Sequence, residues 1–274
     1  MATNPIAVSK NINCWKLADG QFSPAKVGVV IEKELPLFVN GGRLATASLA
    51  PGLEKEFVAG YLYGQGFIES AADIIDINLK DAAFVTLKGN LKTSSTTSYR
   101  IVSGGGRSAY AGEPAFRKIK SDIKIRKANI FRAMNTLFQS AGLYGETEGV
   151  HAAGLFRVAA EPLCLTEDIG RHNTLDKVIG FGLLHKIDFA GTFLVSTGRM
   201  ASEMVTKICR CGIPVAATKT AVTDKGLEIG KACGLTLIGF VRDAGTRINT
   251  DMDVRVVREA GMKIYSGARR ILCD

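Results

Sequence analysis

Long apolar runs are missing from this sequence. No stretch approaches the ~20 consecutive apolar residues that a membrane-spanning helix needs, and Met1 to Lys10 holds no apolar core of the kind that marks a secretory leader. A cytoplasmic chain without a membrane partner is therefore expected. Cysteine is scattered: Cys14, Cys164, Cys209, Cys211, Cys233 and Cys273 are spread over 274 residues. That spacing predicts no disulfide framework and fits thiols kept reduced in the cytosol. Aromatic residues amount to 7%, and dense Lys/Arg blocks are absent. Nucleic-acid binders concentrate charge beside stacking residues, so nucleic acid is not the expected partner.

Several kinds of chemistry lack their motifs. Cys209-Arg210-Cys211 has the wrong spacing for a zinc knuckle. A zinc deaminase needs His-x-Glu and Pro-Cys-x-x-Cys, whereas His151 is followed by Ala-Ala-Gly and Pro214 comes after the cysteines. No metal site is expected. Cys209 and Cys211 fall near a helix C-terminus, where the dipole disfavours thiolate, so both read as inert. Ser196 lies outside any Gly-x-Ser-x-Gly elbow, which argues against a hydrolase triad. No internal repeat is present.

What is there reads as an ordinary globular chain, 46% hydrophobic with 30 glycines. Its 35 Lys+Arg against 26 Asp+Glu give a net charge of +9, which favours anionic partners or a solvated basic surface. The first 24 residues read as an irregular or strand-like lead-in. Strands are predicted over Val27–Leu35, Leu37–Val39 and Leu44–Leu49, with Asn40-Gly41-Gly42 as a hairpin turn. A helix follows over Leu53–Gly64, then a strand over Ala83–Leu87, a polar loop over Lys92–Ser98 and a short strand over Tyr99–Val102. The segment 103–112 reads as a flexible loop. Phe131, Met134, Leu137/Phe138 and Ala141 repeat at helical spacing, predicting a core-facing helix over Ala128–Ala141 capped by Gly142. From His151 strands and helices alternate: strands Ala152–Ala160, Cys164–Glu167, Thr192–Ser196, Ile213–Thr218 and Leu235–Val241, and helices Thr174–Lys186, Met200–Arg210 and Asp224–Cys233. Val254–Tyr265 predicts a closing helix and strand. Such alternation implies an α/β layered sheet with parallel pairs.

In sheets of this kind ligands bind beyond the carboxyl ends of the strands. Three predicted loops there carry hydroxyls or glycine together with a cation. They are Ser196-Thr197-Gly198-Arg199, Thr218-Lys219-Thr220-Ala221-Val222-Thr223, and Phe240-Val241-Arg242-Asp243-Ala244-Gly245-Thr246-Arg247. Each could simply cap a helix, but three in register favour a phosphate-bearing ligand. Asp168-Ile169-Gly170-Arg171-His172-Asn173 packs polar residues before a helix, and two readings stay open. Asp168 or Asn173 caps the helix with His172 on backbone, or Arg171 and His172 serve the crevice. His151 precedes a strand and is placed to face the same crevice or to be a satisfied structural residue. His185 reads as a helix C-terminal dipole contact.

Six stretches together resemble the formate dehydrogenase accessory family FdhD. They are Leu37–Gly42 (LFVNGG), Pro51–Ile68 (PGLEKEFVAGYLYGQGFI), Thr147–Ala153 (TEGVHAA), Glu167–Gly180 (EDIGRHNTLDKVIG), Ser196–Met204 (STGRMASEM) and Gly234–Arg242 (GLTLIGFVR). The resemblance implies a cytidine-deaminase-like α/β domain over 126–274 behind a smaller α+β part over 1–125, assembled as a homodimer. It implies a sulfurtransferase that takes sulfur from a cysteine desulfurase as a persulfide. The sulfur passes to the bis(molybdopterin guanine dinucleotide) molybdenum cofactor before insertion into the formate dehydrogenase apoenzyme, and a guanine nucleotide would mimic that ligand. The family's cofactor-binding stretch falls on Phe240 to Gly245, with Arg247 displaced by a small insertion. The family's persulfide-bearing Cys-x-x-Cys falls on the loop Ser103–Arg107, where Gly104 and Arg107 stand in the cysteine positions. Neither can hold sulfane sulfur; Cys164 is the nearest substitute. Three readings follow: sulfur transfer through another cysteine, a cofactor-binding chaperone without that chemistry, and a nucleotide-processing enzyme using the same crevice.

Overall fold

Turn chemistry shapes the N-terminal part. The structure, a computed structural model, describes residues 7–89, 118–242 and 260–273, with the backbone alone of 99–101. β1 (Ser9–Ala18) and β2 (Gln21–Val30) form a two-stranded antiparallel hairpin. Asp19 and Gly20 turn it with φ of 51° and 74°, the two positive values that a tight hairpin requires and that Asp-Gly supplies. The lead-in expected there is thus a regular ribbon. The strand expected over Val27–Leu35 is broken at Ile31-Glu32, where the Ile31 N–H bonds Val8 O at 2.9 Å before β3 (Lys33–Val39) begins.

β3 pairs with β4 (Gly42–Leu49) through Asn40-Gly41, as the sequence predicts. α1 (Glu54–Gly64), β5 (Ile74–Leu79), β6 (Ala83–Leu87) and β7 (Tyr99–Ile101) complete this region, whose sheet has the order β5-β6-β3-β4-β7. Leu35, Leu37 and Val39 alternate inward on β3 and pack beneath Phe57, Val58 and Leu62 of α1.

The remaining elements are β8 (Ile125–Arg126), α2 (Lys127–Ser140), α3 (Gly142–Thr147), β9 (His151–Arg157), β10 (Pro162–Asp168), α4 (Arg171–Leu184), β11 (Thr192–Ser196), α5 (Ser202–Cys211), β12 (Val215–Thr218), α6 (Asp224–Cys233), β13 (Thr236–Arg242), β14 (Gly261–Ser266) and β15 (Ile271–Leu272). Six of these strands form one sheet in the order β10-β9-β11-β12-β13-β14; β15 pairs with β8. Leu194, Ala216 and Leu237 point to a core shared with α4, α5 and α6. Their neighbours Phe193, Val195, Val215, Ala217 and Ile238 point to a second core under α2. The period-two alternation therefore makes three layers, with strands apolar on both faces because both are covered. The chain is a mixed α/β protein. Among the described residues no helix is long and apolar enough to cross a membrane.

Two helix ends near the site depart from expectation. Gly142 does not cap α2: Ala141 does, and Gly142 opens the short α3. α4 starts at Arg171 rather than Thr174, so Arg171-His172-Asn173 is its first turn and not a loop ahead of it. Gly170 is the N-cap, so the reading in which Asp168 or Asn173 caps the helix does not hold. Residues 254–259, where the closing helix was expected, lie outside the described residues; the strand beyond is β14.

α1 and α4 touch through glycine. A Cβ on Gly60 would lie 1.8 Å from Asp176 O, and one on Gly180 1.7 Å from Glu56 O. Only glycine allows backbones this close. Beside the crossing, the crowded polar segment finds its partners. Asp168 pairs with Lys177 at 2.7 Å. It also accepts from Asn173 Nδ2 at 2.8 Å and from the Gly170 and Ala50 N–H groups, both at 3.2 Å. Lys177 donates to Ala50 O at 2.9 Å, and Asn173 to Ser48 O at 2.8 Å. A second buried pair, Asp176–Lys207 at 2.7 Å, lies one helical step away. Burial raises both Asp168 and Asp176, and the lysines oppose it. The segment thus latches α4 to the end of β4.

Candidate functional site

Strand direction gathers the loops singled out in the sequence. β10, β11, β12 and β13 run one way and β9 runs against them. Asp168, Ser196, Thr218 and Arg242 therefore end their strands at the edge where His151 begins β9. The register is tight: Thr197 N–H bonds Ala152 O at 2.9 Å, Lys219 N–H bonds Ser196 O at 3.1 Å, and Phe240 N–H bonds Thr220 O at 2.9 Å. His151 Nδ1 lies 3.2 Å from Thr197 Oγ1, so this histidine does face the crevice.

A cleft of about 430 Å³ opens at this edge. His151, Thr197, Lys219 and Thr220 line one side, and Phe138, Tyr144, Glu148, Gly149, Val150 and Ile169 the rest. Lys219 Nζ sits 4.3 Å above the Phe138 ring, a favourable cation–π contact. Burial lowers the Lys219 ammonium, and the Arg242 charge lowers it further. Burial also holds His151 below its usual value of 6.5, and the charges of Arg171, His172 and Arg199 add to the effect. Arg171 is lowered by burial and by Arg199, with Glu203 opposing. Positive charge here is crowded enough to work against itself, which is the condition an anionic ligand relieves.

Other expected residues take different places. Ser196 is fully buried, and its hydroxyl accepts from Gly198 N at 3.0 Å; it shapes the loop from behind instead of lining the cleft. Thr218 Oγ1 donates to Gly198 O at 2.7 Å. A Cβ on Gly198 would lie 2.6 Å from Arg171 Cβ, so this glycine lets the loop rest on α4. α5 begins only at Ser202, and Thr223 is the hydroxyl that caps α6, accepting from Gly226 N at 3.2 Å. Val241 is buried in the core under α2. Phe240 holds φ 54° in a bulge of β13, and both Arg242 and Lys263 approach its ring, at 5.9 and 4.8 Å. His172 Nε2 lies 3.2 Å from Glu203 Oε2. The Nδ1 of His172 and the Nε of Arg171 are buried without a hydrogen-bond partner among the described residues. Asp243, Ala244, Gly245, Arg247, Gly104 and Arg107 lie outside the described residues.

No cysteine lines the cleft. Burial pushes the Cys164 thiol up to about 12, and it faces the core on β10. Cys209 is pushed up by its hydrogen bond with Cys233 and then by burial, Cys211 by burial, which agrees with the inert character read from the sequence. His185 closes α4 as expected, with Nδ1 2.9 Å from Phe181 O.

Sequence reasoning missed Phe138, Tyr144, Glu148 and Lys263. Helical periodicity assigns Phe138 to the core along with the rest of its stripe. Leu137 and Phe138 are adjacent on α2, so they point about 100° apart, and only Leu137 is fully inward. Tyr144 and Glu148 stand within seven residues ahead of His151 in the chain, and that proximity is the available signal.

Residues 30–272 match the FdhD/NarQ family. The chain is similar to the sulfur carrier protein FdhD of Sulfolobus acidocaldarius, 33% identical over 88% of this chain and 96% of that one. It is similar to the protein of that name in Methanothermobacter thermautotrophicus, 32% identical over 81% and 88%, and in Bacillus pumilus, 33% identical over 90% and 97%. Its fold is shared with a crystal structure of a proposed formate dehydrogenase accessory protein from Desulfotalea psychrophila. The TM-score is 0.75 at 24% identity, over 97% of this chain and all of that one.

Proposed function

Because the chain belongs to the FdhD/NarQ family, we propose that it is a cytoplasmic accessory protein of formate dehydrogenase maturation that binds the bis(molybdopterin guanine dinucleotide) molybdenum cofactor in the cation-lined cleft. The carrying observation is a cleft at one sheet edge that Lys219 and His151 line and no cysteine lines, with Arg171 and Arg199 acting on His151 and Arg242 on Lys219. The residues fit such a group. Its diphosphates are anionic, the crevice charges depress one another, and the Arg171 Nε, without a partner among the described residues, leaves donor capacity unused. Bound there, the cofactor would supply the molybdenum centre of the client enzyme. The protein's part is to bind, orient and release it to the apoenzyme.

The relatives are named sulfur carriers, and a cysteine desulfurase is the donor the resemblance implies. For this chain we favour cofactor binding without a persulfide of its own. Four of the six cysteines are buried; Cys14 sits in the hairpin and Cys273 near the C-terminus. The homodimer and the cytidine-deaminase-like reading of the three layers belong to the same proposal. The dimer finds support in the hairpin, where Trp15, Leu17, Phe22 and Pro24 share one face and Trp15 and Phe22 are each 71% exposed.

Incubation with a cysteine desulfurase and labelled cysteine should leave no stable sulfane-sulfur adduct by mass spectrometry, while GDP binds in calorimetry. A persulfide on any cysteine would replace this reading with sulfur transfer. Hydrolysis of GDP would replace it with a nucleotide-processing enzyme.

A further inference from the structure

Positive charge also collects at the other end of the main sheet. Lys118, Lys120, Lys124 and Arg126 alternate with apolar or small residues, so no block stands out in the sequence. Exposure alternates with them. Those four side chains and Asp122 are exposed, Ile119, Ser121 and Ile123 are half-buried, and Ile125 is buried. Ile119 packs against the core shared by α4, α5 and α6, and Ile123 against the core under α2. The segment therefore crosses the sheet from one layer to the other and turns one row of side chains outward. β15 pairs beside it, Ile271 with Ile125. That brings the exposed Arg269 to the same row, where Lys124 Nζ donates to Arg269 O at 2.5 Å.

Position separates this row from the ligand cleft. Ser121 Oγ donates to Ala190 O at 2.7 Å, just ahead of β11, and the Ile119 N–H bonds Cys233 O at 2.8 Å, just ahead of β13. The row thus lies where these strands begin, whereas the cleft lies at their carboxyl ends. β11 has 5 residues, which at about 3.3 Å each set the two ends about 15 Å apart. The row is also held rigidly. Arg270 is 3% exposed, and its guanidinium donates to Gly234 O at 2.7 Å and to Ser121 O at 3.2 and 3.3 Å. Burial works against that charge and Arg269 adds to the effect, with Asp122 opposing. Among the described residues no carboxylate forms an ion pair with Lys118, Lys120, Lys124, Arg126 or Arg269. Glu161 is taken by Arg157 at 3.4 Å, and Asp188 accepts the Ala190 N–H of its own turn at 3.0 Å.

Cations of one sign fixed side by side repel one another and favour an anionic partner. The observations point to a protein over RNA or a membrane. Single-stranded nucleic acid needs rings on which bases stack, and the exposed Trp15, Phe22, Phe84 and Tyr144 lie on the hairpin, β6 and α3. A bilayer surface needs apolar side chains to insert, and among the described residues this segment and β15 expose one large apolar side chain, Leu272. Alternate side chains along an extended chain repeat at about 6.6 Å, a spacing that carboxylates on an extended acidic segment share. We propose that Lys118, Lys120, Lys124, Arg126 and Arg269 form a docking ridge for an acidic extended segment of a partner protein, at the end of the sheet opposite the ligand cleft. This goes beyond cofactor binding and does not depend on it.

Fluorescence anisotropy of labelled poly-L-glutamate with the full chain tests it. Binding should occur and weaken with added salt, because exposed charges are screened. Lys120→Glu with Lys124→Glu should weaken it about tenfold, whereas the same change of charge at Lys55→Glu with Lys80→Glu, remote from the ridge, should cost less than about twofold. Lys118→Gln with Arg126→Gln removes charge without adding carboxylates and should act in the same direction as the first pair. All these side chains are exposed, so the wild-type melting temperature should persist in each variant. Saturating GDP should leave poly-L-glutamate bound. Equal losses at the ridge and at the remote pair would reduce the effect to net charge and overturn the docking surface. Displacement by GDP would place the polyanion in the cleft and overturn it too. Tighter binding of polyuridylate or of phosphatidylserine vesicles would overturn the choice of a protein partner, and no binding of poly-L-glutamate would overturn the ridge outright. Failure of GDP to bind would count against the cofactor reading alone.

Discussion

His151 shows how far one side chain depends on its neighbours. Burial and three nearby cationic groups hold it below its usual value of 6.5. In the free protein the unfolded chain therefore binds the extra proton more readily than the folded one. The histidine's contribution to stability is present above the unfolded value and is lost as pH falls from there through the lowered folded value. An anionic ligand reverses the local field and favours imidazolium. Binding of GDP should then take up a proton and tighten as pH drops through the window just below 6.5. Calorimetry in buffers of different ionisation enthalpy would show the uptake, and His151→Gln should abolish it. A pH-independent affinity would remove His151 from the ligand's reach. The sequence puts this residue before a strand, facing the crevice or satisfied structurally, and the structure sets its Nδ1 against Thr197 on the cleft wall. It could not supply the field, which comes from Arg171, His172 and Arg199 on two other elements.

At the scale of elements, α1 and α4 were both legible as helices, yet their contact was not. Replacing glycine by alanine in a helix interior ordinarily stabilises by about 1 kcal/mol. At Gly60 or Gly180 the new Cβ would sit within 2 Å of a carbonyl oxygen on the opposing helix. Gly60→Ala and Gly180→Ala should therefore destabilise by several kcal/mol in chemical denaturation, on the scale of overpacked cores or above it. A neutral or stabilising effect would show that the helices can move apart. The polar segment between β10 and α4 teaches the same lesson. Its density was visible in the sequence, but Asp168, Asn173 and Lys177 turned out to bind residues 48–50, more than a hundred positions away. Breaking a buried pair of this kind leaves an uncompensated charge, which makes the segment a latch as much as a flank of the cleft.

At the scale of the whole molecule, two surfaces stand out: the cationic sheet edge and the hairpin. An isolated two-stranded ribbon is marginal in water, and this one presents Trp15, Leu17 and Phe22 to solvent. Its base is held by Ser9 Oγ donating to Glu146 Oε1 at 2.7 Å. If the hairpin carries the proposed dimer, Trp15→Ser with Phe22→Ser should shift the mass in light scattering to that of one chain. The thermal transition of the remaining fold should persist. An unchanged dimer mass would place the interface elsewhere.

The sequence by itself determined the alternating strands and helices from His151 onward, the Asn40-Gly41 turn, the direction of the loops and the family. Those features rest on local periodicity, turn chemistry and uninterrupted motif strings. Tertiary structure decided which polar residues face the cleft and which lock the fold. Ser196 and Thr223 carry the same hydroxyl chemistry as Thr197 and Thr220, but strand register and helix start turn the first two inward or into caps and leave the second two on the cleft wall. The same distinction separates Leu137 from Phe138 and sets Lys219 over the Phe138 ring. Such assignments depend on the rotation of a helix and the level of a strand against partners remote in sequence, which no local pattern encodes.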